Sequence, residues 1–368
     1  MNGHGLDKDQ RRLIDQLRRT GPASRTQLAQ ALDFSAAYLT KLSRELLALG
    51  LLHERPEGTA VGRGRPAVPL AIAAEGGFAV GASAHKGILD LALVDFTGNP
   101  IARHHETVAP MTPRDFAQRV RKLVHELVEA HGLLGRRMLG IGVAVPGPPM
   151  TREGTHWHAV DALPGWRDVP LRDLLAAEFN WPIWLENDAN CAALAEFYAA
   201  GRVRDMSHLA VLLLGFGIGA GLIVDGVPLR GQHGAAGEIG CLYPLDAPRP
   251  SPLDLLGLLR AEGLALASLD DIDPASSRQA PVIARWMDRA AAQLEILVST
   301  AFAWFDPGAI VIAGTLPRAL LEGLHARLCN TQLATMIDAR RAPLEVSRVE
   351  GSPVTLGAAM LPLHAIAS

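Results

Sequence analysis

The stretch WLENDANCAALAEF, residues 184–197, holds two carboxylates and an amide where a strand pattern gives way to a helix pattern. Apolar residues run into Glu186, Asn187 and Asp188, and an alanine-rich segment follows at once. One interpretation is a helix cap, because Asn or Asp at a helix start accepts hydrogen bonds from free backbone N–H groups. The other is a ligand site, with a carboxylate and an amide held at the mouth of a cleft to bind a polar molecule. The residues alone leave both interpretations open.

Two further groups of residues carry weaker chemical signals. The glycine string GFGIG at 215–219 is similar to a phosphate-binding loop, but a tight hairpin explains it equally well. The three cysteines, Cys191, Cys241 and Cys329, are scattered and form no CxxC pair, which is typical of reduced thiols. We therefore expect a cytoplasmic protein.

The bulk composition indicates a globular protein of more than one folding unit. A chain of 368 residues is too long to fold around one small core. Its content of 49% hydrophobic and 20% charged residues is ordinary for a soluble protein. The start is polar and charged, which predicts no secretory signal. The longest uncharged run, residues 209–224, is shorter than the ~20 apolar residues that cross a bilayer. We expect no membrane partner.

Charge is unevenly distributed along the chain. Residues 1–66 carry 11 Lys and Arg against 7 Asp and Glu, a net charge of +4, whereas the rest carries 24 against 31, a net charge of −7. A basic head on an acidic body suggests that the head meets a polyanion. The imbalance is modest and needs support from the pattern of the head itself.

The first fifty residues follow the helix-turn-helix pattern. Ser24 and Gln27 stand in capping-box spacing, and Ser35 can cap the next helix after a short turn. Leucines at steps of three and four give that second helix an apolar back. In this motif the N-terminal residues of the second helix meet base edges in the major groove. The candidate DNA-binding residues on this helix are Ser35, Ala36, Tyr38, Lys41 and Arg44.

A segment rich in glycine and arginine follows the helices. LLHERP has a strand pattern, and Arg63-Gly64-Arg65-Pro66 is similar to the tip and return of a β-wing. An extended Arg-Gly-Arg can lie in a narrow minor groove, where the negative potential is strongest. Arg63 and Arg65 therefore join the candidate DNA-binding residues, and double-stranded DNA is an expected partner. The alternative is a three-helix protein-interaction module with a flexible basic linker.

From Phe78 onward strands alternate with helices. Strands with tight turns precede an amphipathic helix over 113–131, a buried strand that ends in Pro-Gly, and a helix over 171–179. The order then restarts with a strand, a hairpin, a long helix near 283–305, a strand and a helix from Pro317. Two similar α/β halves with a cleft between them fit this order, and ligands usually lie beyond the strand ends in such folds.

Six motifs occur in the order seen in the ROK family of repressors, open reading frames and sugar kinases. They are GRGRPAVPLAI, VPGP, LPGWRDVPL, ENDANCAALAE, LGFGIGAGLIVDG and GAAGEIG, and the resemblance covers residues 10–365. It implies an α/β protein with a winged helix-turn-helix in residues 1–72 and a two-lobed, actin-like sugar-kinase domain in residues 73–368. Lobe one is expected over 73–203 and lobe two over 204–368, with the C-terminal helix as a candidate to return to lobe one. The head is similar to that of the repressor branch, which includes xylose and N-acetylglucosamine repressors.

The resemblance implies roles for residues of the cleft. Asp188 matches the carboxylate that is the catalytic base of ROK sugar kinases, where it takes the proton from the attacked sugar hydroxyl. Asn187 and Glu238 match residues that hold sugar hydroxyls, and Gly147 matches the glycine of the sugar-side loop. The polar triplet is then expected to be both a helix cap and one wall of a site for a sugar or sugar derivative.

The chain departs from the family where phosphate would bind. The family's first phosphate loop reads Asp-x-Gly-x-Thr, and here Ser83, His85 and Gly87 stand at those positions. The second loop is usually Gly-Thr-Gly-Ile-Gly, and Phe216 replaces its hydroxyl residue. We expect no useful ATP binding and no sugar kinase activity, which leaves Asp188 as a vestige of the catalytic base.

The family's zinc site and one sugar contact are also altered. Cys241 takes the position of a zinc-binding histidine, no further cysteine follows in that loop, and one thiol cannot build a four-ligand zinc site. Ala162 stands where the family has an asparagine, which removes a hydroxyl partner. We expect no metal, and an effector that differs from the family's or is lost.

Together the motifs favour a DNA-binding transcriptional regulator, expected to be a repressor, of genes for carbohydrate metabolism. A homodimer or homotetramer is expected, because two heads that read an inverted repeat bind far more tightly than one. Lobe closure around a sugar would change the spacing of the heads. One alternative is an active sugar kinase that keeps a DNA-binding head, and the other is a regulator that senses no effector and whose body only dimerises.

Overall fold

The structure, a computed structural model, confirms the mixed α/β class: a helical head precedes a two-lobed body with one five-stranded sheet in each lobe. It describes residues 5–55, 68–85, 87–151, 154–159, 163–244, 246–333 and 340–367. No helix within these ranges is long and apolar enough to span a bilayer.

The head contains three helices and a two-stranded antiparallel sheet: α1 (Lys8–Thr20), α2 (Arg25–Leu32), α3 (Ala36–Ala48), β1 (Leu52–Glu54) and β2 (Leu70–Ile72). The predicted caps are confirmed, because Ser24 accepts a hydrogen bond from the N–H of Gln27 in a capping box. Ser35 likewise accepts one from the N–H of Tyr38. Between α2 and α3, Asp33 adopts the left-handed conformation with a φ of 57°, which turns the chain sharply. Buried leucines of the three helices fill the core between them.

Lobe one comprises β3 (Phe78–His85), β4 (Ile88–Asp95), β5 (Pro100–Thr107), α4 (Pro113–Ala130), β6 (Met138–Val145), α5 (Leu171–Ala176) and β7 (Ile183–Asn187). Its strands lie in the order β5-β4-β3-β6-β7. The first three strands form an antiparallel meander, and β6 and β7 continue the sheet in parallel. The carboxyl ends of β6 and β7 therefore share one edge, which brings the loop after β6 next to the polar triplet.

Two central helices, α6 (Asp188–Leu194) and α10 (Pro353–Ala367), pack against each other. Lobe two comprises β8 (Leu209–Leu214), β9 (Ile218–Val224), β10 (Val227–Pro228), α7 (Pro252–Ala261), α8 (Ala280–Phe305), β11 (Ile310–Gly314), α9 (Arg318–Cys329) and β12 (Leu344–Val346). Its sheet has the order β10-β9-β8-β11-β12. Three antiparallel strands are again followed by two parallel ones. The two sheets thus follow the same plan.

Two helices cross at the centre of the body. An added Cβ at Gly357 of α10 would lie 1.6 Å from the carbonyl oxygen of Cys191 in α6, so only glycine permits this approach. Gly81 and Gly142 similarly leave room for α10 on β3 and β6. The C-terminal helix therefore packs on the sheet of lobe one, while α6 continues as a π-helical segment over Ala195–Ala199.

Three elements differ from the sequence prediction. Helix α7 was not predicted, although Ser251 caps it by accepting from the N–H of Asp254 and Pro252 occupies its first turn, a pattern the sequence displays. Strand β12 was also missed, because three residues are too few to show alternation. Helix α5 ends at Ala176 and not at Phe179, since the chain turns at 177–178.

Candidate functional site

Asn187 caps helix α6 and also links two loops of the body. Its side-chain oxygen accepts hydrogen bonds from the N–H groups of Ala189 at 2.8 Å and Asn190 at 3.3 Å, at the start of α6. Its Nδ2 donates to the carbonyl oxygen of Gly147 at 3.1 Å and to Oε1 of Glu238 at 3.4 Å. The helix-cap interpretation is confirmed. The same amide also ties the end of β7 to a loop of each lobe, while a contact with a ligand stays a prediction.

Glu186 and Arg230 form the ion pair that orients this turn. Glu186 is 1% exposed, and its Oε2 accepts from Nε and Nη2 of Arg230 at 2.8 and 2.6 Å. Its Oε1 accepts from the backbone N–H of Asn187 and from Nδ2 of Asn190, both at 3.0 Å. Such partners are what a buried carboxylate requires. Sequence reasoning missed Arg230, because no local spacing shows which cation a buried carboxylate will meet.

Asp188 faces an aromatic pair across the cleft. Its Oδ1 accepts from the N–H of Ala189 at 2.9 Å, and its Oδ2 lies 3.5 Å from Nε2 of His85. The ring of His85 stacks on that of Phe216, with 4.3 Å between centroids and 15° between planes. By the resemblance, these two residues stand at the positions of the glycine and the hydroxyl residue of the family's two phosphate loops, and this match stays a prediction. Both departures therefore meet at one point beside the carboxylate, which the sequence did not predict.

The pKa of Glu238 lies above the usual value of a glutamate. Burial, together with the nearby charge of Asp188, raises the pKa of Glu238 to about 7. The carboxyl group therefore changes between hydrogen-bond donor and acceptor near neutral pH. Gly147 lies nearby with a φ of 111°, and an added Cβ would lie 2.3 Å from the carbonyl oxygen of His158. The structure brings the four predicted effector residues together around the side chain of Asn187.

A cavity of about 500 Å³ lies beside the ring pair, with Ser83, His85, Phe216 and Thr355 in its wall. The hydroxyl groups of Ser83 and Thr355 lie 2.8 Å apart and are buried. Ser83 therefore pairs with α10. Its match to the aspartate of the family's first phosphate loop stays a prediction.

The first turns of α3 lie on the surface of the head. The predicted DNA-binding residues on this helix are all exposed: Ser35, Ala36, Tyr38, Lys41 and Arg44. The Tyr38 hydroxyl donates to Oδ2 of Asp9 on α1 at 2.8 Å, which holds the ring against the neighbouring helix. Arg63 and Arg65, the predicted wing residues, lie outside the described residues. The role of all these residues in DNA binding stays a prediction.

The cysteines do not assemble a metal centre in the described part of the chain. No group of three or more His, Cys, Asp and Glu side chains there could hold a metal ion. Cys241 is exposed in the short 3-10 helix Ile239–Leu242, and Cys191 is buried in α6, where desolvation raises the pKa of its thiol. These donors do not fit a four-ligand zinc site. Ala162, the altered sugar contact, lies outside the described residues.

Comparisons with known sequences point to one family. A model described as the ROK family matches residues 83–249. The uncharacterized protein y4fQ of Sinorhizobium fredii is 31% identical over 365 residues, which covers 97% of this chain and 91% of that protein. A xylose repressor of Caldicellulosiruptor bescii is 32% identical over 223 residues, 59% of this chain and 54% of that protein. The DNA-binding transcriptional dual regulator NagC of Escherichia coli is 26% identical and covers 92% of this chain and 87% of that protein.

Solved structures share the fold. The crystal structure of a ROK family transcriptional regulator, a homolog of the Escherichia coli MLC protein, covers 98% of this chain and 96% of its own at 21% identity and a TM-score of 0.72. A ROK family glucokinase from Streptomyces griseus, solved with glucose and AMPPNP, covers 77% of this chain and 99% of its own at 19% identity and a TM-score of 0.61. The regulator thus matches nearly the whole chain, and the kinase matches a smaller part.

Proposed function

The chain belongs to the ROK family, and on this premise we propose that it is a DNA-binding transcriptional repressor of genes for carbohydrate metabolism. The observation that carries the proposal is the head, in which α3 exposes its first turns on a helix-turn-helix. Relatives named xylose repressor and NagC support it. A solved ROK regulator also shares the fold of this chain over the head and the body.

Arg18 fastens the head to the body. Its Nη1 donates to the carbonyl oxygen of Leu363 on α10 at 2.9 Å, and its Nη2 donates to that of Phe96 in lobe one at 3.3 Å. Arg19 donates to the carbonyl oxygen of Asp225 in lobe two at 3.4 Å. Helix α1 is therefore held by α10 and by both lobes, so a movement between the lobes would move the head.

The effector in this proposal is a sugar or sugar derivative bound around Asn187, Asp188, Glu238 and Gly147. The contact between Asn187 and Glu238 is long at 3.4 Å, and a ligand hydroxyl can replace it at little cost. A hydroxyl group can also donate to one carboxylate and accept from the amide. Because these residues come from both lobes, a ligand that bridges them favours the closed arrangement.

Helix α6 offers a route from this cleft to the head. It begins at Asp188, and its continuation carries Tyr198, about 15 Å away at the usual rise of a helix. The Tyr198 hydroxyl lies 3.0 Å from Nδ1 of His364, which is next to Leu363, the acceptor of the Arg18 hydrogen bond. We propose that displacement of α6 on effector binding reaches the head through this contact.

The proposal includes no phosphorylation and neither ATP nor zinc as a cofactor. Phosphate would have to pass the stacked rings of His85 and Phe216, and the first loop carries Ser83 in place of a metal-binding aspartate. The Asp188 carboxylate then serves as a hydrogen-bond acceptor for the effector rather than as a base.

A homodimer or a homotetramer is part of the same proposal. Helix α8 exposes Ile296 at 67% and Trp304 at 90%, on one side of the helix and two turns apart. We propose that these two side chains belong to the association surface. Two heads on a two-fold axis would also supply the affinity that one winged helix lacks.

A gel shift with DNA from upstream of the chain's own gene tests the proposal. A salt-sensitive, sequence-preferring complex is expected, and its absence at every protein concentration would count against a regulator. Thermal-shift screening with hexoses, amino sugars and sugar phosphates tests the effector. A shift that is lost in Glu238→Ala supports the cleft, and no shift with any of them favours a body that only dimerises.

The second candidate function is a sugar kinase with a DNA-binding head, which the retained Asp188 and the kinase-like fold favour. A coupled assay of ADP release over a panel of hexoses decides between the two. Turnover that Asp188→Asn abolishes would make the kinase the better description.

A further inference from the structure

A second cavity lies between the head and the body, apart from the cleft around Asn187. This junction cavity has a volume of about 570 Å³ and is lined by the end of α1, β1, β2, the turn at 97–99, residues 198–204 and α10. Its walls therefore belong either to the head or to the part of the body on which the head is docked. Its size is that of a small-molecule site.

The charged residues that line the junction cavity are all basic. Arg18 and Arg55 come from the head, and Arg204 comes from the body. No Asp or Glu stands among the described residues of its wall. Arg55 and Arg204 are exposed, and no described residue gives either of them an ion-pair partner. An anion that entered the cavity would meet the positive charges of Arg55 and Arg204.

Arg18 supplies a buried donor that the protein leaves unused. Its two terminal nitrogens donate to carbonyl oxygens, but its Nε is buried and has no partner among the described residues. Burial lowers the pKa of Arg18 to about 10, so the guanidinium still carries its charge at neutral pH. A buried donor without an acceptor costs free energy.

The side chain of Arg204, in the body, lies close to the end of α1 in the head. An added Cβ at Gly21, which follows α1, would lie 3.9 Å from Nη2 of Arg204. Asn99 and Tyr198 add neutral polar groups to the wall, and Met360 and Leu363 give it an apolar part. The arrangement suits a ligand with an anionic end and an uncharged body.

We propose that the junction cavity binds a small molecule that carries a phosphate group. Arginine guanidinium groups match phosphate oxygens in geometry and charge, and arginines from both the head and the body line this cavity. A ligand held between Arg204 and the end of α1 would change how the head sits on the body. That regulatory consequence rests on the proposed function, whereas the binding itself does not.

Calorimetry on the full chain tests the proposal with three probes: glucose 6-phosphate, inorganic phosphate and glucose. Glucose 6-phosphate is expected to bind, and Arg55→Gln and Arg204→Gln should each weaken it at least about tenfold by removing a charge-assisted contact. The matched control is Arg278→Gln, an exposed arginine of lobe two outside the cavity, which should change nothing. Equal binding of glucose 6-phosphate and inorganic phosphate would identify the phosphate group as what the cavity recognises, and preference for glucose 6-phosphate would include the sugar.

Glu238→Ala separates the junction cavity from the cleft. It should leave the binding of glucose 6-phosphate intact while it removes any binding of glucose. The proposal is overturned if glucose 6-phosphate does not bind the wild-type chain at millimolar concentration, or if Glu238→Ala removes its binding and the arginine variants do not. It is also overturned if Arg55→Gln and Arg204→Gln weaken only DNA binding, because the cavity would then face the DNA backbone. A chain that binds the phosphate probe but ignores DNA would refute the proposed function alone.

Discussion

His85 and Phe216 stack face to face, with 4.3 Å between ring centroids and 15° between ring planes. His85 ends β3 in lobe one, and Phe216 lies in the turn between β8 and β9 in lobe two. The pair thus bridges the two lobes. The paired rings lie in the gap between the lobes, beside Asp188.

Removing both rings is expected to open the gap to a nucleotide. The double variant His85→Gly with Phe216→Thr should bind a nonhydrolysable ATP analogue at least about tenfold more tightly than the wild type, as measured by calorimetry. His131→Gly, at an exposed helix end, serves as the control and should have no effect. Equal binding by the wild type and the double variant would show that the rings do not block the site.

The exposed cations of α3 are expected to contact DNA phosphates. Lys41→Ala and Arg44→Ala should each weaken DNA binding and lower the slope of log affinity against log salt by about one unit. Titration at several salt concentrations measures both effects. Lys122→Ala removes an equal charge from α4 in the body, and this control should leave the slope unchanged. If all three variants behave alike, α3 is not the DNA-facing helix.

Glu238→Gln is expected to stabilise the protein at pH 8 and to change little at pH 5. The folded state raises the pKa of Glu238 from 4.5 to about 7, so it holds this proton more tightly than the unfolded chain does. An ionised Glu238 lowers the free energy of unfolding. This destabilisation is absent below the pKa of Glu238 in the unfolded chain, grows as the pH rises, and reaches its full size above the pKa in the folded protein. Because the side chain is partly exposed and solvent screens its charge, we expect Glu238→Gln to raise the free energy of unfolding by only roughly 1–2 kcal/mol at pH 8.

Chemical denaturation at the two pH values measures this difference. Glu322→Gln, in an exposed pair with Arg318, is the control and should show no such pH dependence. A stabilisation of equal size at pH 5 and pH 8 would mean that the pKa of Glu238 is not raised.

A buried ion pair between Glu196, within the π-helical segment, and Arg202 is expected to dominate local stability. Glu196 is 0% exposed and accepts from Nε of Arg202 at 3.3 Å and from the hydroxyl of Ser347. Glu196→Ala leaves Arg202 with Glu345 as its remaining carboxylate partner and should cost roughly 3 kcal/mol in denaturant unfolding. Glu322→Ala breaks only a surface pair and should cost less than about 1 kcal/mol. Similar losses in the two variants would contradict the buried network.

The exposed face of α8 is expected to join two copies of the chain. Trp304→Glu should shift sedimentation toward the monomer and weaken DNA binding, because two linked heads bind more tightly than one. The control is Leu134→Glu, which charges another large apolar side chain that is 70% exposed. A wild-type chain that sediments as a monomer would contradict the prediction that α8 joins two copies.

The head shows how much local sequence can predict. Capping at Ser24 and Ser35 involves residues three positions away, so the spacing alone identifies where α2 and α3 begin. Asn187 follows the same rule at the start of α6. The places of Asn187 and Asp188 in the cleft came from motif order, and the common edge of β6 and β7 explains why Gly147 lies beside them.

The sequence by itself determined the class of fold and the starts of α2, α3 and α6. These helix starts are readable because a cap bonds to backbone groups two or three residues away, whereas the class of fold and the candidate ligand residues followed from the order of strands, helices and motifs. Only the tertiary structure decided that Arg230 neutralises Glu186, that His85 meets Phe216 beside Asp188, and that Arg18 docks the head on Leu363. Buried charges and ring surfaces interact with whatever the fold brings within a few ångströms. Those neighbours are distant in the chain, 345 positions apart for Arg18 and Leu363, so no local pattern encodes them.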